Sequence, residues 1–414
     1  MRDHYDVLVI GGGPGGAAAA LLLARARRSV VVVEKKAFPR RKVCGEFLSA
    51  TSLPLLEHLG VGEAFRDAAG PEVRRVGLFV GPAVLTAELP AVARAPRSSW
   101  AKALTPVPSP AKPGEGSKWG RALGRERLDS MLLGAAVNAG ATVLQPYSAV
   151  ELRADTGEYR CVAVAVGGVR EICAPLVIAA HGSWDVGPLP TQSRRRPPRA
   201  DDLFGFKAHF RGTALPDDLM PLLAFPGGYG GMVTCDAGRV SLSCCVRRDR
   251  LTRIREPGED AGEAVLRHIR TSCRGVDDAL AGATRDGPWL AAGPIRPGIR
   301  LRPTDRVLRV GNAAGEAHPV VAEGISMAMQ GAWLLAERLI APRRLPPPAL
   351  SADYAHVWRR AFRPRLVAST AVAHWAMHPG VVARAVPIIR RLPALLTWGA
   401  RLSGKSARVV QVTT

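Results

Sequence analysis

Residues 6–16 read Asp6-Val7-Leu8-Val9-Ile10-Gly11-Gly12-Gly13-Pro14-Gly15-Gly16, and an Ala/Leu run then leads to Val30-Val31-Val32-Val33-Glu34. A short apolar run closed by clustered glycines predicts a buried strand and a tight turn. The Ala/Leu run predicts a helix, and the β-branched run predicts a second strand ending in an acid. Gly11 permits the turn, Gly13 lets the backbone approach a pyrophosphate, and Gly16 lets helix and strand pack closely. The helix starting at Pro14 and Gly15 aims its unpaired N–H groups and positive dipole end at that phosphate. Glu34, eighteen residues after Gly16, is placed to accept from a ribose hydroxyl. The stretch is a βαβ unit for binding a dinucleotide.

Residues 7–24 are also apolar and small, which is the texture of a signal peptide. Their glycines and proline fall in one turn, however, and the βαβ pattern runs on beyond them. The span is likewise too broken for a membrane helix of about 20 apolar residues. The N-terminus reads as mature and untargeted.

At 414 residues the chain can hold two domains sharing an interface, and an apolar content of 47% with only 5% aromatics predicts a core of Ala, Val and Leu. The net charge of +22 invites a nucleic-acid reading. The excess is largely Arg, spread over helices and loops with no nucleic-acid-binding motif. A basic surface facing anionic lipid or an acidic cofactor fits better, and no nucleic-acid partner is expected. Seven cysteines without a CxxC pair or a His/Cys cluster argue against a disulfide framework and against a metal site. The cytoplasm is the simplest location.

The expected fold class is α/β with an α+β layer: a Rossmann-like domain interleaved with an antiparallel-sheet substrate domain and followed by a helical region. The nucleotide domain is expected over residues 1–80, 119–186 and 303–342, and the substrate domain over 81–104 and 201–302. Residues 105–118, rich in Pro, Gly and Ser, read as a low-complexity insert. Residues 343–414 hold apolar stretches punctuated by Arg, each too short to span a bilayer. They predict either a helical cap over the substrate domain or a peripheral membrane contact that would make the protein membrane-associated.

Three further segments give the chain its family resemblance. Val310-Gly311-Asn312-Ala313-Ala314-Gly315-Glu316-Ala317-His318-Pro319 leads through Glu323-Gly324-Ile325 into a helix. Gly124-Arg125-Glu126-Arg127-Leu128-Asp129 precedes a strand near Ala149, and Lys42-Val43-Cys44-Gly45-Glu46 follows the opening unit. Together with that unit they resemble the class A FAD-dependent monooxygenase superfamily of para-hydroxybenzoate hydroxylase, within it the branch of geranylgeranyl reductases and flavin halogenases. The resemblance implies FAD as cofactor and NADH or NADPH as co-substrate. It implies that Gly311 and Asn312 meet the ribityl or phosphate groups and that the helix after Gly324 and Ile325 faces the flavin carbonyl edge. It also implies that Arg125 lies near the cofactor, that Ala149 meets the adenine through its backbone, and that Cys44 and Gly45 lie close to the flavin. Asn312 stands where the family usually carries Asp, and His181 where an A-D-G-x-S segment carries Asp.

Departures select the reaction. The halogenase branch carries W-x-W-x-I-P, and none of the eight tryptophans here stands two residues from another. The isoprenoid reductases carry an aromatic Y-x-W-x-F-P stretch, whereas Tyr229 is followed by Gly230-Gly231-Met232. Glycines in place of a wall of rings predict a wider cavity. The expected function is therefore an FAD-dependent, NAD(P)H- and O2-consuming monooxygenase acting on a hydrophobic aromatic or heteroaromatic metabolite, with an isoprenoid double-bond reductase as the alternative. No triad, metal cluster or acid pair is needed for such chemistry. Of the candidate bases His181, His209, His318 and His374, His318 is the best because it sits in the loop that resembles a flavin loop; Lys207, on a predicted strand that could face substrate, reads rather as an exposed structural lysine.

Overall fold

The computed structural model describes residues 2–89, 91, 119–184, 186–192, 197–341 and 346–400. The expected insert 105–118 and most of 81–104 lie partly or wholly outside the described residues, as do 342–345 and 401–414.

The opening segment forms the centre of a five-stranded parallel sheet. Its order is Leu308–Arg309, Leu176–Ala179, Val7–Ile10, Val30–Val33, Thr142–Leu144. All residues of Val7–Ile10 and Val30–Val33 are buried, because both faces of the sheet are covered. On one face lies the helix Pro14–Arg25, packed between the helices Arg125–Asn138 and Gly324–Ile340. Its small residues let three helices approach one sheet. On the other face Leu8, Ile10, Val31 and Val177 meet Leu152, Cys161, Ala163 and Ile172. These come from an antiparallel layer of Ser148–Ala154, Tyr159–Ala165 and Gly168–Ala174, with Arg2–His4 pairing parallel at its edge.

A second, eight-stranded sheet lies beside this unit. From Leu203–Arg211 it runs through Val240–Arg247, Gly228–Thr234, Leu219–Phe225 and Arg75–Val80 to Ala83–Glu88, and Thr284–Arg285 and Leu290–Ile295 pair with the other side of Leu203–Arg211. The strand Arg75–Val80 pairs in parallel with Leu219–Phe225, so the second sheet begins inside the segment assigned to the nucleotide domain, and the boundary at residue 80 moves to before Arg75. One face, with Phe206, Phe210, Leu223, Phe225 and Leu242, is sealed by the helices Ala261–Ser272 and Arg274–Ala279. The first of these starts on an Asp260 cap that accepts from the N–H groups of Gly262 and Glu263.

The opposite face of the large sheet turns toward the nucleotide unit. The chain then returns through Pro347–Ala376, whose Tyr354, Trp358 and Phe362 bury against the helix Gly324–Ile340. The helices Pro379–Arg391 and Ala394–Ala400 follow. Ala373, Ala376, Val382 and Ile389 share a core with Leu78, Val80, Leu85 and Tyr229 of the large sheet. Among the described residues, the apolar stretches expected in 343–414 thus form helices that cover the large sheet. No helix among the described residues is long and apolar enough to cross a membrane.

Candidate functional site

One cavity of about 1100 Å3 runs between the two sheets and under the helical cap. That is more than a single drug-sized ligand requires, since such pockets are about 300–1,000 Å3. Its walls include Gly11, Gly13, Pro14, Gly15, Glu34, Cys44, Gly45, Arg125, Ala149, Gly311, Asn312, His318, Gly324 and Ile325. Of the expected site residues only Gly16 is not in its wall.

Gly16 works behind that wall. A Cβ there would fall 1.9 Å from the carbonyl oxygen of Gly11, so only glycine lets the helix start so close to the strand. Gly11 itself takes φ +109°, and a Cβ on it would strike Ala180. A Cβ at Gly13, by contrast, would meet only Arg125 Nη2 at 3.9 Å, so the space before it opens into the cavity. The helix Pro14–Arg25 has no side-chain cap on its first turn. Neither does Gly324–Ile340, where a Cβ at Gly324 would meet nothing within 4 Å. Two uncapped helix starts therefore face one cavity, each offering N–H groups to an anionic or carbonyl group.

Charge follows the same logic. Lys35, Lys36, Arg40, Arg41, Lys42 and Arg125 line the cavity against Glu34, Glu46 and Glu316. Burial, with Arg125 and Arg40 nearby, pulls the Lys42 ammonium down to about 8. A pyrophosphate would relieve that crowding of like charge. Arg125 is held by a bidentate bond to buried Asp129, at 2.7 Å on both oxygens. Burial opposes the guanidinium's charge, but Asp129 and then Cys44 outweigh it and hold the pKa above its ordinary value. Glu34 accepts from Gly12 N–H at 2.7 Å and Lys36 N–H at 3.0 Å, which fixes its carboxylate at the end of its strand. A glycine cradle open to the cavity, two free helix starts and surplus cations fit an FAD.

The segment from Val310 to Pro319 carries a hydrogen-bonded hub. Glu316, buried, accepts from Asn312 Nδ2 at 2.9 Å, Ser183 Oγ at 2.9 Å, Trp184 Nε1 at 3.1 Å and Arg300 Nη2 at 3.2 Å. Asn312 thus spends its amide on Glu316 while still lining the cavity. His181 Nε2 lies 2.9 Å from Thr191 Oγ1. His318 is half-buried, burial lowers it to about 4, and its Nδ1 lies 3.3 Å from Tyr229 Oη on the large sheet. Burial raises Tyr229 well above its ordinary value.

A second cluster corrects the reading of Lys207. Far from exposed, it is 0% accessible and its ammonium bonds Glu46 Oε1. Glu46 Oε2 takes His209 Nε2 at 2.8 Å, and Glu46 Oε1 also accepts the Arg125 N–H at 3.0 Å, capping the helix Arg125–Asn138. Burial alone would raise the Glu46 carboxyl; His209 and Lys207 overcome it and hold it at about 2. Cys235 Sγ lies within 4.8 Å of a Glu46 oxygen and a His209 ring nitrogen, but both carboxylate oxygens already accept hydrogen bonds. The signal for this cluster was present in Leu203-Phe204-Gly205-Phe206-Lys207-Ala208-His209-Phe210: a cation inside a strand apolar on both faces needs a buried partner.

Residues 4–192 match the family model described as an FAD binding domain. That segment gives the chain an FAD-binding domain. The flavin-dependent brominase Bmp2 superposes with a TM-score of 0.71 at 17% identity, covering 97% of this chain and 94% of that one. Pseudomonas aeruginosa PqsL, solved with 2-aminobenzoylacetate, gives 0.67 at 18% identity over 92% and 98%. A geranylgeranyl bacteriochlorophyll reductase-like protein of Thermoplasma acidophilum gives 0.66 at 18% identity over 100% and 94%. At these identities the likeness is one of fold, and the fold hosts different chemistries. No curated protein matches the sequence.

Proposed function

We propose that this protein is an FAD-dependent monooxygenase that consumes NADH or NADPH and O2 to hydroxylate or epoxidise a hydrophobic aromatic or heteroaromatic metabolite. The observation that supports this reading is the shared cavity. The glycine cradle of the nucleotide unit and the Tyr229–Met232 face of the large sheet line one continuous space, closed by Val372, Trp375, Ile389 and Leu396 of the helical cap. When bound, FAD supplies acceptance of a hydride and delivery of electrons to dioxygen.

The chain's own residues provide the rest. Gly13, Pro14 and Gly15 would hold the pyrophosphate of the cofactor, with Arg125 and Lys42 balancing its charge. Glu316 fixes Asn312, and the helix that starts at Gly324 turns its first N–H groups to the cavity. Gly230 and Gly231 leave room above the sheet for a ring system, and the apolar cap keeps bulk water from the reacting atoms. His318 is the base for a substrate that must lose a phenolic or enolic proton. In the tautomer that donates Nδ1–H to Tyr229 Oη, Nε2 is left as the acceptor, and the lowered pKa keeps the ring neutral at neutral pH.

The test is turnover of ring metabolites under 18O2 with NADH or NADPH, read by mass spectrometry. One labelled oxygen in the product and one in water, with one nicotinamide oxidised, supports the monooxygenase. Anaerobic saturation of a polyprenyl double bond, with no oxygen incorporated, transfers the assignment to the reductase. Halide-dependent product would transfer it to the chemistry of the brominase that shares the fold, although the chain has no paired-tryptophan motif.

A further inference from the structure

We propose that the outer face of the two C-terminal helices docks on an anionic lipid surface and turns the cavity toward the acyl chains. The helix Pro379–Arg391 is two-sided. Val382 and Ile389 are buried against the large sheet, while Val381 and Ile388, seven residues apart and so on one face, are 49% and 57% exposed. The line continues through Leu392, Leu395 and Trp398, at 56%, 42% and 60% exposed. A stripe of five large apolar side chains in water is costly for a protein that keeps it there, and it marks a surface that meets another phase or partner.

Charge selects the occupant. From Tyr354 to Thr414 the sequence has no Asp or Glu, against nine Arg and one Lys. Arg384, Arg390 and Arg391 are exposed on the same helix as the stripe. Apolar side chains flanked by arginines on a helix too short to span a bilayer describe an element lying in the interface of a negatively charged membrane. A protein partner would ask for hydrogen-bonding groups of both signs, which this face lacks.

Position gives the docking a purpose. Leu395 belongs both to the exposed stripe and to the cavity wall, beside Leu396 and Gly399. A lipophilic substrate can thus pass from the acyl chains into the cavity without crossing water. That delivery rests on the proposed function; the docking itself does not.

The experiment uses the full chain with FAD bound. It is sedimented with vesicles of phosphatidylcholine alone and of phosphatidylcholine mixed with phosphatidylglycerol, at low and high salt. Binding to the mixed vesicles only, weakened by salt, is expected. Arg384→Gln and Arg391→Gln should each lower the partition coefficient about fivefold. Ile388→Ser with Trp398→Ser should abolish binding at unchanged FAD content and melting temperature. Lipids brominated in the acyl chain should quench Trp398, an effect that Trp398→Phe removes. Failure to bind anionic vesicles at low salt overturns the proposal. So does binding indifferent to these four substitutions, which would place the attraction elsewhere on the +22 surface. Self-association that Ile388→Ser abolishes, without vesicle binding, would assign the stripe to a second copy. None of these readouts requires turnover, so they stand apart from the oxygenase test.

Discussion

Replacing Glu46 by alanine removes one carboxylate and orphans three donors: the Lys207 ammonium, His209 Nε2 and the Arg125 N–H. Breaking a buried ion pair by deleting one member costs about 3–5 kcal/mol, because the other charge stays buried. The direction of the Glu46 shift agrees: a carboxyl held at about 2 by His209 and Lys207 favours the ionised fold. Lys207→Met removes the cation instead and leaves the carboxylate with His209 and the helix N–H, so its cost is about 1–3 kcal/mol. At about 2 °C per kcal/mol for a long chain, Glu46→Ala should melt about 6–10 °C below the wild type and Lys207→Met by roughly half that. Circular dichroism at pH 7, with flavin absorbance for FAD content, measures both. Since Glu46 is depressed in the fold, its contribution is full above about 4.5 and fades as pH falls toward about 2. The wild-type advantage should therefore shrink over that window. An alanine variant that melts with the wild type, or less damage from it than from Lys207→Met, would refute the assignment of Glu46 as the centre of the cluster.

Two glycines of one turn should separate folding from binding. Gly16→Ala places a Cβ 1.9 Å from the Gly11 oxygen and should yield little folded protein, whereas Gly13→Ala should fold normally and lose FAD affinity, read by fluorescence titration. His318, held neutral down to about 4 by burial, should give kcat/KM for an ionisable substrate an acid limb near that pH, which His318→Gln removes; a limb near 6.5 would contradict the burial effect. Removing residues 381–414 strips Val382 and Ile389 from the core over the large sheet and should abolish turnover of a long-tailed substrate more than FAD binding. Equal survival of both would show that the cap does not hold substrate.

The nucleotide unit was legible because its constraints are local. A turn that needs φ +109° at Gly11 and a contact that forbids a Cβ at Gly16 write glycine into fixed places within six residues. The large sheet was only partly legible. Its strand Arg75–Val80 finds its neighbour Leu219–Phe225 more than a hundred residues away, and nothing in Arg75-Val76-Gly77-Leu78-Phe79-Val80 announces a parallel partner. The helix Arg248–Ile254 went unread because it has no buried residue and therefore no apolar period.

The Lys207 error exposes the physical organisation of the site. Lys207 lies in the large sheet and Glu46, 161 residues earlier, in the loop before Phe47, so their bond is formed only when the two units meet. Asn312 and Glu316 are joined in the same way to Ser183 and Trp184, from the end of another strand of the nucleotide sheet. Each ionic centre lies in the wall of the cavity and each draws partners from distant segments. Buried charge of this kind contributes little net stability, because desolvation offsets much of its attraction. It does penalise misplacement: a small shift of the large sheet would leave Glu46, Lys207 and His209 all unpaired in a dry interior. The glycine cradle fixes where the nucleotide lies, and the Glu46 cluster fixes the large sheet relative to that cradle. The width of the reaction space follows from these two registrations together, and only the first of them is written in neighbouring residues.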